Sequence, residues 1–179
     1  MDVDGVLTDG QISLTSAGDE VKSFHVADGL GLTLLRLAGI KTAWITGRRS
    51  TIVEHRASEL SIEYVYQGVR DKGTALHEIS QNAGVPFDRI AYIGDDLNDL
   101  TAFECVTYSI AVADARDPIL RAAALIAEKP GGHGAVREVA DFLLHQRGQT
   151  EEIMNIYLQQ LRSQSTLSGQ HHLNSGSGQ

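Results

Sequence analysis

RIAYIGDDLNDL, residues 89–100, decides how this chain folds. Residues 89–93 read as a short strand that runs straight into Gly94 and the aspartates Asp95, Asp96 and Asp99, and residues 98–105 then read as helical. The same alternation extends on both sides. Strands are expected at 42–45, 63–66, 108–112 and 124–126. Helices are expected from Leu30 to a stop at Gly39, from a Ser50 cap to 59, over 72–82 with closure at Gly84 and Pro86, and over 118–123 and 135–146. Strands of four or five residues cycling with short helices predict an α/β fold, a parallel sheet covered by helices on both faces. Ligands in such sheets gather at the carboxyl ends of the strands, where this chain places its Asp, Thr and Gly residues.

The flanks depart from that cycle. Residues 12–14 and 20–26 surround a turn-forming stretch at 15–19 and predict a small β-hairpin. At the other end, 150–161 carries an apolar stripe of Ile153, Ile156, Tyr157, Leu158 and Leu161, and the Ser/Gly/Gln-rich remainder is expected to be disordered. The organisation expected is therefore a catalytic-sized domain over 1–147 that includes the hairpin at 10–26, a C-terminal helix at 148–162 and a disordered tail at 163–179. The adjacent His171 and His172 of that tail are given no role.

Composition narrows the classes of function. The chain has 179 residues, 42% of them hydrophobic, enough for one domain with a real core. A single cysteine, Cys105, excludes an internal disulfide framework and points to a reducing, cytoplasmic setting. Fifteen basic against 23 acidic residues, net charge −8, speak against a nucleic-acid partner. No apolar run approaches the roughly 20 residues of a membrane helix, and no basic and apolar leader opens the chain.

Two clusters of carboxylates carry the chemistry. Asp2, Asp4 and Asp9 surround Gly5 and Gly10, while Asp95, Asp96 and Asp99 follow the central strand. One such aspartate is as well explained by a turn. Two clusters converging on one crevice repel unless a cation or a shared proton offsets them. Oxygen-only donors favour a hard octahedral ion, and Mg²⁺ fits better than zinc. Thr46 and Gly47 place a hydroxyl and free N–H groups at another strand tip, suited to phosphate oxygens. Lys72 opens a helix, where its charge opposes the dipole and suggests an anionic partner.

At this point the chain resembles the haloacid dehalogenase superfamily of phosphohydrolases. DVDGVLTDG is similar to its first motif, WITGR to its second, Lys72 to its third and GDDLND to its fourth, and the likeness runs from residue 2 to about residue 147. FHVADGLGLTLLRLAG, ITGRRS, YQGVRDK, AYIGDDLNDL, SIAVADA and GGHGAVREVADFLL resemble the subfamily of 3-deoxy-D-manno-octulosonate 8-phosphate phosphatases. The resemblance implies a Rossmann-like, capless fold with the hairpin as its insertion. It also implies a Mg²⁺-dependent phosphomonoester hydrolase working through a phosphoaspartate on a phosphorylated sugar acid. The alternatives are a phosphatase for a sialic-acid-like nonulosonate 9-phosphate and a catalytically idle oligomerisation domain.

Position by position, the resemblance implies Asp2 as nucleophile and Asp4 as acid/base. Mg²⁺ would be held by Asp2, Asp95 and the backbone carbonyl of Asp4. Asp96 or Asp99 would hold a metal-bound water or orient Lys72, and Thr46 and Lys72 would grip the phosphoryl group. Gly47, His25, Asp28, Arg48 and His133 would meet the substrate, Arg48 being suited to a carboxylate. A homotetramer is implied, with the hairpins forming a barrel-like centre and the 131–134 segment reaching a neighbour's site. Two departures stand out. His133 occupies a position that is often arginine in the subfamily. Only Met1 precedes Asp2 where the family has an apolar strand, so residues upstream of Met1 are expected; a chain starting at Met1 would set a mobile, charged amine beside the nucleophile.

Overall fold

A computed structural model of the chain describes the backbone of residues 1–171 and the side chains of residues 1–163. The elements run β1 (Ser13–Leu14), β2 (Glu20–Val21), α1 (Val26–Leu37), β3 (Ala43–Thr46), α2 (Thr51–Glu59), β4 (Tyr64–Gln67) and α3 (Lys72–Ala83). They continue with β5 (Ala91–Gly94), α4 (Leu100–Phe103), β6 (Tyr108–Ala111), α5 (Asp117–Ala122), β7 (Leu125–Ile126), α6 (Ala135–Gln146) and α7 (Thr150–His171).

β3 and β4 pair in parallel, with Ala43 opposite Tyr64 and Thr46 opposite Gln67. β5, β6 and β7 form a second parallel group in that order. The first two residues join the groups. The Ile45 N–H donates to the Met1 carbonyl and the Asp2 N–H donates to the Ile93 carbonyl, both at 3.0 Å. The spatial order is thus β4, β3, residues 1–2, β5, β6, β7, and Asp2 sits in the middle of the row of strand ends. The expectation of a mobile charged amine is overturned. The Met1 amine donates to the Ala43 carbonyl at 3.0 Å, and burial, only partly offset by Asp2 and Asp99, lowers its pKa to about 5. An interior backbone partner and the loss of water fix a group that would otherwise move.

The core follows from which residues the strands turn inward. Trp44, Ile45, Tyr92, Ile93 and Ile110 lie under the helices, with Leu32 and Leu35 from α1 and Val136, Val139 and Leu144 from α6. Each such side chain contributes about 1.5–3 kcal/mol on burial. α1 and α6 approach closely because Gly31 leaves room: a Cβ there would lie 3.1 Å from Ala140 and from the Arg137 backbone. α3 starts cleanly because the Asp71 carboxylate accepts from the N–H groups of Gly73 and Thr74.

Three expectations shift in detail. The second hairpin arm ends at Val21 rather than at 26, since Phe24 turns in to stack on Trp44 at a centroid distance of 6.4 Å and α1 begins at Val26. The helix expected over 98–105 becomes a 3-10 turn at Leu97–Asp99 and the single turn of α4, because Asp96 and Asp99 cap each other's backbone. The C-terminal helix continues through nine residues of the expected tail to His171; residues 163–168 contain neither Gly nor Pro to stop it. The rest of the expected tail, His172 included, lies outside the described residues. Among those described, no helix is long and apolar enough to cross a membrane.

Candidate active site

The tips of residues 1–2, β3 and β5 and the first turn of α3 converge on a cleft of about 750 Å³. Asp2, Asp4, Asp9, Thr46, Gly47, Arg48, Asp95, Asp96, Asn98, Asp114 and Arg116 line it. Its floor is an ion-pair network built on Lys72. This side chain is fully buried, with Nζ 2.7 Å from Asp99 Oδ1 and 2.9 Å from Asp2 Oδ2. Asp99 also accepts from the Tyr92 hydroxyl at 2.8 Å and from the N–H groups of Asp95 and Asp96 at 2.9 and 3.3 Å. So satisfied, Asp99 is fixed in place against the Lys72 ammonium.

Asp2 and Asp95 are in the opposite condition. Oδ1 of each is buried without a hydrogen-bond partner, and carboxylate oxygens of Asp2, Asp95 and Asp99 lie within 4.8 Å of one another. A bare buried carboxylate oxygen is costly. Burial first, and then the charge of Asp99, raises the Asp2 pKa to about 6 despite Lys72. Burial and the negative charges of Asp2 and Asp99 raise Asp95 to about 8. Burial works to lower Lys72, but Asp2 and Asp99 outweigh it, and the ammonium is held more firmly than an ordinary lysine's. Two orphaned hard oxygens facing one space fit a divalent cation such as Mg²⁺, which would reverse both carboxylate shifts.

Gly5 is required where the chain leaves Asp4. Its φ is +98°, and a Cβ would fall 2.1 Å from Asp95 Oδ2. Asp4 faces the cleft from the other side: its Oδ2 accepts from Thr46 Oγ1 at 3.3 Å, and its Oδ1 accepts from Lys22 Nζ. The Thr46 hydroxyl in turn accepts from the Arg48 N–H at 3.2 Å. Asp96 lines the rim and caps Leu97 N–H at 2.7 Å.

Asp2, Asp4, Thr46, Gly47, Arg48, Lys72, Asp95, Asp96 and Asp99 are therefore brought together. His25, Asp28 and His133 do not line the cleft of a single chain. His25 is exposed, just ahead of α1. Asp28 is buried, with Oδ1 accepting from the Arg137 N–H at 2.8 Å in the first turn of α6. Burial raises its pKa against the pull of that N–H. His133 Nδ1 lies 2.7 Å from the Gly131 carbonyl. The 131–134 segment packs on its own chain, where Gly132 N–H donates to Val6 and Gly131 N–H to Asp114.

Sequence reasoning missed Asp114, Arg116, Glu20 and Lys22. The first two follow β6 as Asp95 follows β5, a strand-tip position that could have flagged them. Lys22 and Glu20 come from the hairpin, whose docking onto the cleft has no periodic signature.

The family model for haloacid dehalogenase-like hydrolases matches residues 37–139. The 3-deoxy-D-manno-octulosonate 8-phosphate phosphatase KdsC of Haemophilus influenzae is 43% identical over 149 residues, 83% of each chain. Its counterpart in Escherichia coli is 41% identical over 152 residues, 85% of this chain and 81% of that one. The Moraxella catarrhalis phosphatase, solved with magnesium, phosphate and the sugar acid KDO, superposes with a TM-score of 0.85 at 43% identity, covering 88% of this chain and 90% of that one. The cobalt-bound Haemophilus influenzae enzyme gives a TM-score of 0.80 at 44% identity, covering 82% and 86%. With its strand-tip carboxylates, buried lysine and parallel sheet, the chain belongs to the haloacid dehalogenase-like hydrolases, within the family of the 3-deoxy-D-manno-octulosonate 8-phosphate phosphatases.

Proposed function

We propose that this chain is a Mg²⁺-dependent phosphatase that converts 3-deoxy-D-manno-octulosonate 8-phosphate to the free sugar acid and inorganic phosphate. The observation that carries the reading is the pair of orphaned oxygens, Asp2 Oδ1 and Asp95 Oδ1, beside the buried Lys72 ammonium. Those two oxygens and the Asp4 carbonyl would hold Mg²⁺, which when bound offsets the charge of the phosphate and of the nucleophile.

The chain's own residues divide the work. Asp2 attacks phosphorus, forming an Asp2–phosphate bond as the bond from phosphorus to the sugar oxygen breaks. Asp4 gives a proton to that leaving oxygen. Asp4 then takes a proton from a water that attacks the phosphoaspartate, phosphate leaves, and the Asp2 carboxylate is regenerated. Lys72 keeps the nucleophile placed and, with the Thr46 hydroxyl and the Gly47 backbone, holds the phosphoryl oxygens. Arg48 at the rim meets the sugar acid's carboxylate.

We extend the reading to a cytoplasmic homotetramer. The hairpin supports it: Ile12, Leu14 and Val21 are 54%, 65% and 48% exposed, an apolar surface better covered than left in water. In such an assembly His25, Asp28 or His133 would serve a site through a neighbouring copy.

Phosphate release from a panel of sugar phosphates, with and without Mg²⁺, tests the reading. The expected result is Mg²⁺-dependent release, fastest from the octulosonate 8-phosphate and abolished by Asp2→Asn. Faster release from a nonulosonate 9-phosphate would reassign the substrate, and turnover surviving Asp2→Asn would rule out the covalent route.

A further inference from the structure

The hairpin does more than present an apolar edge: it sends a lysine into the site from behind. Lys22 follows β2, and its side chain is 1% exposed although it starts from a surface hairpin. Its ammonium rests on Asp4 Oδ1 and lies 3.4 Å from Glu20 Oε1. Glu20 anchors the arm, accepting from Ser50 Oγ at 2.6 Å and from Arg48 Nη2 at 3.2 Å. The hairpin is thereby pinned to the segment just past β3, and the Asp4 carboxylate is held from two sides, by Lys22 on Oδ1 and by Thr46 on Oδ2. A buried ammonium is retained only where carboxylates compensate it. Lys22 is not among the residues lining the cleft.

We propose that Lys22 is a positioning residue for phosphoryl transfer, fixing the Asp4 carboxylate so that Oδ2 faces the oxygen that leaves the phosphorus. The inference rests on the phosphatase reading and on the role given there to Asp4. A free aspartate samples several χ1 and χ2 wells. Proton transfer needs one of them, within about 3 Å of the leaving oxygen. Removing the clamp frees the carboxylate and slows the step that consumes its proton, while leaving Lys72 and the carboxylates around it in place.

The test compares two esters on the full chain with saturating Mg²⁺. An alkyl phosphate, the sugar-acid phosphate or another sugar phosphate that the wild type turns over, needs a proton at its leaving oxygen. p-Nitrophenyl phosphate leaves as a stabilised phenolate and does not. kcat/KM reports steps up to the first irreversible one, formation of the phosphoaspartate. In Lys22→Met the alkyl-to-aryl ratio of kcat/KM is expected to fall by roughly 30-fold or more, part of the 10²–10⁴ that general acid catalysis supplies. Lys22→Arg restores most of it. Should Lys22→Met fail to melt cooperatively, Lys22→Gln, neutral but polar, carries the same comparison. Equal losses on both esters would reduce Lys22 to a structural role, and no loss on either would remove it from the reaction; both overturn the inference while leaving the phosphatase reading intact. A wild type that releases phosphate from no ester would overturn both.

Discussion

Gly5→Ala tests the geometry of the cleft directly. The methyl group would stand 2.1 Å from Asp95 Oδ2 and 2.5 Å from its Cγ, so one of them has to move by more than 1 Å to reach an ordinary contact distance. The backbone at φ +98° adds a penalty of about 1–2 kcal/mol for any side chain. Gly18→Ala separates the two effects. It sits in the hairpin turn at φ +89° with nothing within 4 Å of the added Cβ, so it carries the backbone penalty without the clash. Urea unfolding of the metal-free protein should show about 1–2 kcal/mol lost in Gly18→Ala and more in Gly5→Ala. Mg²⁺ titration and phosphate release should show wild-type behaviour in Gly18→Ala. In Gly5→Ala, Mg²⁺ affinity should fall and kcat should drop by about 100-fold, the usual effect of a misplacement near 1 Å. Equal Mg²⁺ affinity and turnover in the two variants would refute the claim that the Gly5 backbone and the Asp95 carboxylate share one tightly fitted site.

Lys72→Met removes the cation that touches both Asp2 and Asp99 in the buried network; stability should fall by about 3–5 kcal/mol in metal-free urea melts and turnover by at least about 100-fold. Tyr92→Phe takes one donor from Asp99, which keeps Lys72 and two backbone N–H groups, so the cost should be about 1 kcal/mol with turnover within a few-fold of wild type. Mg²⁺ binding should release protons: at pH 7 Asp95, at about 8, is mostly protonated and Asp2, at about 6, mostly ionised, so calorimetry in buffers of different ionisation enthalpy should count roughly one proton. Both carboxyls are raised above the ordinary 3.8, so their contribution to metal-free stability is complete below pH 4 and lost as pH rises through 6 and 8. Melting curves should therefore show Mg²⁺ raising Tm more at pH 8 than at pH 5.

The parallel sheet was legible because short apolar runs alternate with helical stretches, and the two strands that build the cleft, β3 and β5, end in Thr46–Gly47 and Gly94–Asp95. The nucleophile's setting was not. The sequence does not show that the backbone of residues 1–2 hydrogen-bonds to β3 on one side and β5 on the other. Lys22 escaped for a related reason. Its importance depends on a hairpin folding back over a strand tip 18 residues away in sequence, a contact that no local pattern encodes. His25 and Asp28 were named only through the family resemblance, and within one chain the first precedes α1 while the second caps the start of α6, so their proposed substrate role depends on a neighbouring copy.

The three clustered carboxylates explain why the motif spacing matters beyond listing acids. Asp99 is five residues past Gly94, close enough for a capping turn to bring its carboxyl back under the β5 tip, where two backbone N–H groups, a phenol and Lys72 satisfy it. Had Asp99 been as exposed to unpaired space as Asp95, the site would hold three competing anions and one shared ammonium. Because Asp99 and Lys72 neutralise each other locally, the charge left facing the cleft once a metal displaces the Asp95 proton is that of Asp2 and Asp95, two negative charges with one free oxygen apiece. A doubly charged cation cancels that remainder and a singly charged one does not. Mg²⁺ should therefore raise the melting temperature at concentrations where Na⁺ or K⁺ has no effect. Asp99→Asn, which frees Lys72 to neutralise Asp2 alone, should weaken Mg²⁺ binding although position 99 lies outside the proposed ligand set.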